Sequence, residues 1–150
     1  MNKPSSYQFH YLLHSADLIK EYLQQKLMPF GISPHQARVI KALDIKGPVS
    51  QVTLAREFNI TAASMSTMTS RLTSLGFINC EKDTANGKRN LVSLSTKGIE
   101  VLDDISEAWK GVDTYMEEKI GANDMAALSD LTKKLRDSLG GTKPDLKDKQ

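Results

Sequence analysis

Residues 59–77, NITAASMSTMTSRLTSLGF, decide the fold because two patterns overlap in them. Ser and Thr fill nearly half of the stretch, although both are mediocre helix formers that favour caps and turns. Apolar side chains nevertheless recur at spacings of three, four and three, at Met65, Met68, Leu72 and Leu75. That spacing is the period of a helix with one buried face. We therefore expect a helix that runs from the N-cap Thr61 to Gly76, with hydroxyl groups on its solvent side.

The face opposite to the apolar stripe has the chemistry that a helix needs in a DNA major groove. Short side chains let the backbone approach base edges, hydroxyls can donate or accept, and an Arg can bridge to guanine or phosphate. An ordinary solvent-exposed helix is the alternative, but such faces usually carry Glu, Lys and Gln, which this helix lacks. The residues of this face are Ala63, Ser64, Ser66, Thr67, Ser70, Arg71 and Ser74.

Helix boundaries are marked clearly around this segment. Ser33, Ser50 and Thr61 each precede an apolar periodic run and are expected N-caps. Gly47 lies just past the end of the first of these helices, and Asn59 can serve as the left-handed exit of the second. The chain therefore contains a helix, a tight turn and a second helix, in the order of a helix-turn-helix.

The pattern changes to that of a β-ribbon directly after Gly76. FINCEK and NLVSLS alternate with a period of two, and the connecting DTANGK contains an Asn-Gly pair, which is typical of a hairpin turn. A helix-turn-helix followed by a hairpin is the winged-helix arrangement. Three cations, Lys82, Lys88 and Arg89, lie at the ribbon tip, where they can contact phosphates or the minor groove.

Longer amphipathic helices flank this centre. One is predicted from about residue 7 to 28, and two more follow the ribbon, over about 96–120 and 123–139. Because these end helices exceed what one small winged unit can cover, we favour packing against a partner chain over packing within the chain. The stripe that could form such a seam is Leu102, Ile105, Trp109, Val112 and Met116.

The predicted fold class is mainly α with a small β-hairpin wing. A winged helix-turn-helix DNA-binding region spans 33–95, helical dimerisation regions span 1–32 and 96–141, and 142–150 is a flexible tail. The 150-residue chain has the size of one domain and carries a net charge of +2. Residues 47–98 hold six Lys or Arg against three Asp or Glu, whereas 99–139 hold five against ten. A basic centre beside an acidic end favours a polyanionic partner for the centre alone.

The composition also excludes several classes of protein. No run of about 18 apolar residues is present, so we expect no membrane span. A single Cys, Cys80, excludes an intrachain disulfide framework and favours a cytoplasmic location. Cys80 has Glu81 beside it, so its role is expected to be that of a small strand residue rather than a reactive thiol. We find no nucleophile–base pair, carboxylate dyad or phosphate loop, and predict no enzyme activity and no cofactor.

The segment GPVSQVTLAREFNITAASMSTMTSRLTSLGFINCEKDTANGKRNLVSLSTKGIEVL resembles the core of the MarR-type winged-helix transcriptional regulators over about residues 32–102. LAREFNI, SRLTSLGFI and LVSLSTKG follow one another in the order and spacing of that family. The resemblance implies an obligate homodimer that binds a pseudo-palindromic DNA operator. It also implies a small, often aromatic or phenolic, effector that binds between the DNA-binding and dimerisation regions and releases the DNA.

The resemblance implies DNA contacts from specific positions of this chain. The helix that begins at Thr61 corresponds to the family's DNA-reading helix. In the wing the family usually has an Asp and an Arg two residues apart, whereas this chain has Asn86 and Lys88, followed by Arg89. Thr67 stands where many relatives carry Arg. The predicted DNA-binding set is Thr61, Ala62, Ala63, Ser64, Ser66, Thr67, Ser70, Arg71, Lys82, Lys88 and Arg89.

Candidate residues for an effector are Tyr11, His14, His35 and Arg38. His10 and His14 lie one helical turn apart and could share a metal, but no further ligand completes a site locally, so we predict none. The predicted function is that of a homodimeric, sequence-specific DNA-binding transcriptional regulator, a repressor whose operator binding is modulated by a small molecule. The alternative is a winged-helix protein-interaction module with weak or no DNA binding.

Overall fold

The computed structural model describes residues 7–82, 85 and 90–141. The predicted tail 142–150 and two of the predicted wing cations, Lys88 and Arg89, lie outside the described residues. The described residues are mainly helical and include a small antiparallel sheet. The helices are α1 (Gln8–Leu27), α2 (Pro34–Lys46), α3 (Gln51–Glu57), α4 (Ala62–Ser74), α5 (Thr96–Glu100), α6 (Leu102–Ile120) and α7 (Ala122–Ser138), and the strands are β1 (Val49–Ser50), β2 (Ile78–Lys82) and β3 (Asn90–Leu94).

The three predicted N-caps are confirmed. Ser33 accepts a hydrogen bond from the Gln36 N–H, and the Gln36 side chain accepts from the Ser33 N–H, which forms a complete capping box. Ser50 and Thr61 each accept from the N–H three residues further on. Asn59 has a φ of 52°, the left-handed exit that the sequence predicts.

The predicted hairpin is part of a three-stranded sheet of order β1-β3-β2. In this register Val92 of β3 lies opposite Val49 on one side and Cys80 on the other. Strand β1 is only two residues long, so it carries no alternation that a sequence pattern could detect. We call α2 to β3, residues 34–94, the winged unit, and α1, α6 and α7 the terminal helices.

The core joins the winged unit to the terminal helices. Its largest fully buried side chains include Leu27 of α1, Leu43 of α2, Met65 of α4, Val92 of β3 and Ile105 of α6. Helix α6 packs against α1, α2 and α7, and α1 also packs against α2, so the winged unit rests on both α1 and α6. Among the described residues, no helix has both the length and the apolar character that crossing a bilayer requires.

The structure differs from the sequence prediction in the segment 96–120. Instead of one helix, α5 and α6 meet at Val101, a buried residue with a ψ of −8°. The helix is interrupted there because α5 packs against β3 and the Phe77 carbonyl through Gly98, whereas α6 follows the core through Ile105. The stripe assigned to a dimer seam is also partly internal, because Ile105 and Val112 are buried within the chain.

Candidate nucleic-acid interface

Helix α4 presents the predicted contact face to solvent. Met65 and Leu72 are completely buried, Met68 is half-buried, and Leu75, predicted on the same stripe, is 41% exposed because it lies beyond the last turn. The opposite face contains no acidic side chain. Its exposed residues are Ala62, Ala63, Ser64, Ser66, Thr67, Ser70, Arg71 and Ser74.

The start of α4 is fixed by hydrogen bonds within its own first turn. The Thr61 Oγ1 accepts from the Ser64 N–H at 3.0 Å and donates to the Ser64 Oγ at 2.9 Å. Thr67 Oγ1 donates to the Ala63 carbonyl at 3.1 Å. The first turn of α4 has no acidic residue, so the positive end of the helix dipole remains available to a phosphate.

A polar contact on the buried side of α4 escaped sequence analysis. Thr69 is only 1% exposed, and its Oγ1 accepts a 2.6 Å hydrogen bond from the Gln51 Nε2 of α3. The same amide lies 3.7 Å from the Cys80 Sγ of β2. Gln51 therefore connects α3, α4 and the wing. A signal existed in the sequence, because Thr69 lies four residues after Met65 on the apolar stripe.

The end of α4 is held by the segment that follows the sheet. Lys97 Nζ donates to the Leu75 carbonyl at 2.7 Å and lies 4.5 Å from the centroid of the Phe77 ring. Ser95 Oγ donates to the Gly76 carbonyl. These donors satisfy carbonyls that a helix end leaves without an intrahelical partner. The position of α4 is thus tied to α5, which leads directly into α6.

The described part of the wing carries one of the three predicted cations. Lys82 is exposed at the last residue of β2. Cys80, two residues earlier on the same strand, has an exposed side chain. Arg71 of α4 is exposed as well. The structure therefore supplies accessible cations on both the helix and the wing strand.

The four effector candidates lie on two different helices. Tyr11 and His14 are exposed residues of α1, and Tyr11 lines a groove of about 600 Å³ between α1, α6 and α7. His35 is exposed on α2, and the Arg38 guanidinium lies 5.6 Å from the centroid of the Phe58 ring. Partial burial there lowers the pKa of Arg38 from its ordinary value. Within the described residues, no group of three His, Cys, Asp or Glu side chains could hold a metal.

The groove that Tyr11 lines is mostly apolar. It lies where the terminal helices leave a gap, between α1 on one side and α6 and α7 on the other. Besides Tyr11, its walls include Leu12, Ile19, Val112, Met116, Met125 and Leu128. A volume of this size is in the range of small-molecule sites, and an apolar helix could fill it equally well.

Comparison with known proteins agrees with this geometry. Residues 32–89 match the model of the MarR family, and none of the curated proteins compared with the chain matches it. A probable transcriptional regulator from Pseudomonas aeruginosa is 26% identical, covers 85% of this chain and 96% of its own, and superposes with a TM-score of 0.75.

Two further solved structures share the fold at lower identity. Wild-type apo MarR from E. coli is 17% identical, with a TM-score of 0.75, and covers 89% of this chain and 98% of its own. Bordetella bronchiseptica BpsR, whose DNA binding is regulated by 6-hydroxynicotinic acid, is 19% identical, with a TM-score of 0.77 and coverage of 91% and 98%.

Proposed function

We propose that this chain, whose residues 32–89 match the model of the MarR family, is a winged helix-turn-helix transcriptional regulator of that family and a homodimeric, sequence-specific DNA-binding repressor of the cytoplasm. In this proposal, residues 33–95 bind the DNA operator, and residues 1–32 and 96–141 form the dimer. A small-molecule effector changes the affinity for a pseudo-palindromic operator.

The observation that carries the DNA-binding proposal is the exposed face of α4. Small and hydroxyl side chains cover it, it holds no carboxylate, and Arg71 is its cation. Such a surface can approach base edges closely without repelling phosphates. The α4 part of the contact set runs from Thr61 to Arg71, and Lys82 supplies a phosphate contact from the wing. The remaining members of the set, Lys88 and Arg89, lie outside the described residues and add two positive charges to the proposed contact set.

Apolar side chains on the terminal helices support the homodimer. Several large ones are exposed to solvent in the single chain, which is unusual unless another surface covers them. They belong to α1 and α7, and both helices border the groove between the terminal helices. A two-fold dimer through these helices would present two copies of α4 to the two halves of a palindrome. The exposed residues are Phe9, Leu12, Leu13, Leu18, Leu131, Leu135 and Leu139.

Effector control rests on two observations. The groove beside Tyr11 has the volume of a small-molecule site, and the solved relative BpsR is regulated by an aromatic acid. We therefore propose a small aromatic effector. The candidate contacts are Tyr11, His14, His35 and Arg38, of which Tyr11 lines this groove, whereas His14, His35 and Arg38 lie outside its walls. Thermal-shift measurements with aromatic acids test this point, and binding that leaves operator affinity unchanged would contradict it.

The DNA-binding proposal is tested by titrating DNA from upstream of the chain's own coding region at two salt concentrations. Specific binding should weaken steeply with salt. Arg71→Ala should weaken binding to all sequences. It should also reduce the salt slope, which is the slope of the logarithm of affinity against the logarithm of salt concentration, by about two units per dimer, because each lost phosphate contact contributes about 0.9. Thr67→Val should instead change the preference among sequences.

Lys20→Ala is the matched control, because it removes one exposed cation from α1, away from the proposed DNA-binding face. Its salt slope should equal that of the wild type. If the wild type binds its upstream DNA no better than unrelated DNA, the proposal fails and the hypothesis of a protein-interaction module is favoured. If binding is specific but Arg71→Ala and Thr67→Val leave it intact, α4 is not the contact helix.

A further inference from the structure

A charged side chain is buried where the winged unit meets α6. Lys41 of α2 is only 3% exposed. Its Nζ donates a 2.9 Å hydrogen bond to the Ser106 Oγ of α6 and lies 5.7 Å from the centroid of the Trp109 ring. The two bonded residues are 65 positions apart in the chain. This contact therefore connects the winged unit to the longest of the terminal helices after α1.

Core packing alone does not explain a lysine at this position. Its neighbours on α2, Val39, Ile40, Ala42 and Leu43, are buried and apolar. Burying an ammonium group costs several kcal/mol unless partners compensate, and an apolar side chain of similar length would often fill such a space at least as well. Unlike an apolar side chain, the lysine favours one relative orientation of α2 and α6, because its hydrogen bond to Ser106 depends on that orientation.

The surroundings of Lys41 explain how its charge is accommodated. The ammonium borders a cleft of about 470 Å³ whose walls include three carboxylates, Asp44, Asp103 and Glu107. The Trp109 ring adds a cation–π contact to the same ammonium. The charge is thus offset by an acidic, solvent-accessible wall rather than placed in hydrocarbon alone.

The orientation of α2 determines that of α4 through rigid contacts. Lys46 at the end of α2 forms a 2.8 Å ion pair with Glu57 at the end of α3. Helix α3 packs on α4 and is bonded to it through Gln51 and Thr69. A tilt of α2 on α6 therefore moves α4 with it through the Lys46–Glu57 ion pair and the packing of α3 on α4.

We propose that Lys41, through Ser106 and Trp109, is a positioning residue that sets the tilt of the winged unit on α6. In the homodimer this tilt fixes the separation of the two α4 helices, and with it the spacing of half-sites that the protein accepts. The inference rests on the proposed function, because it needs two copies of α4 on one duplex. Half-site spacing is a geometric property of such dimers, and one added base pair both lengthens and rotates the site.

The test compares operator affinity with that for the same operator carrying one base pair more or one fewer between its half-sites. The wild type should prefer the natural spacing strongly. In the Lys41→Met variant, the ratio of the affinity for the natural spacing to that for an altered spacing should fall at least about tenfold. The thermal stability of this variant should stay equal or rise. Ser106→Ala should change the preference in the same direction, and the double variant should add little to either.

Lys110→Met is the control, because Lys110 lines the same cleft but is exposed and pairs with Glu107 at 3.5 Å. Its spacing preference should match that of the wild type. The inference is overturned if Lys41→Met keeps the wild-type preference, or if it weakens all spacings equally. Should Lys41→Met not fold, the unchanged preference of Ser106→Ala would overturn it. A wild type that binds no operator would instead refute the proposed function.

Discussion

The dimer proposal predicts that dimer stability depends on one apolar stripe of α7. Its apolar residues Leu128, Leu131, Leu135 and Leu139 follow spacings of three, four and four, so they form one stripe along the helix. Leu128 is half-buried against the rest of the chain, whereas Leu131 remains 64% exposed. We expect a second copy of the chain to cover Leu131, and Leu131→Ala to weaken the dimer.

The size of the effect follows from the exposed fraction. Complete burial of a leucine side chain is worth about 1.5–3 kcal/mol. Since 64% of Leu131 is still accessible, its burial in the dimer is worth about 1–2 kcal/mol per copy. A two-fold interface uses the residue twice, so Leu131→Ala should cost the dimer about 2–4 kcal/mol. That corresponds to a dimer dissociation constant raised about 30- to 700-fold.

Sedimentation equilibrium over a range of protein concentrations measures this constant directly. Val52→Ala is the matched control, because Val52 is 58% exposed but lies on α3, away from the terminal helices. Its dimer constant should equal that of the wild type. An unchanged dimer dissociation constant for Leu131→Ala, or an equal weakening of the dimer in both variants, would refute the assignment of this stripe to the dimer interface. A wild type that remains monomeric would refute the dimer itself.

Three further substitutions test the supports of α4. Gly98→Ala would place a Cβ 2.1 Å from the Phe77 carbonyl oxygen, so we expect a loss of about 1–3 kcal/mol in thermal unfolding, and an unchanged melting temperature would contradict this packing. Thr61→Ala should cost about 1 kcal/mol in urea unfolding, because the N-cap is lost, whereas Thr61→Ser should retain stability. Thr69→Val should cost about 1–3 kcal/mol, since the Gln51 amide loses its acceptor, and equal stability in urea would show that this bond contributes nothing.

Local rules of sequence predicted much of the winged unit. Caps at Ser33, Ser50 and Thr61 and the left-handed Asn59 depend on a few adjacent residues, and all four are present in the structure. The buried and exposed faces of α4 follow from a helical period that needs no tertiary information. The resemblance of LAREFNI and its neighbours to one family then added a prediction that periodicity could not make, namely that these elements bind DNA.

The features that sequence did not predict depend on contacts between distant segments. Strand β1 exists only because Val49 pairs with Val92. The bend at Val101 arises because α5 and α6 pack on different parts of the chain. Lys41 lies in a run whose charged residues recur every three positions, at Arg38, Lys41 and Asp44, and only the position of α6 shows that Lys41 is buried. Long-range partners of this kind leave no periodic trace in a single sequence.

The way α4 is held explains how short side chains could read DNA. A single hydroxyl contact is worth about 1 kcal/mol, so such a face needs many contacts formed together. Thr61 fixes the start of the helix, Gln51 fixes its side, and Ser95 and Lys97 hold its end. Because the helix is ordered before DNA arrives, little conformational entropy is lost on binding. Under the proposed function, substitution of Gln51, Ser95 or Lys97, which hold α4 from outside its exposed face, should therefore also weaken operator affinity.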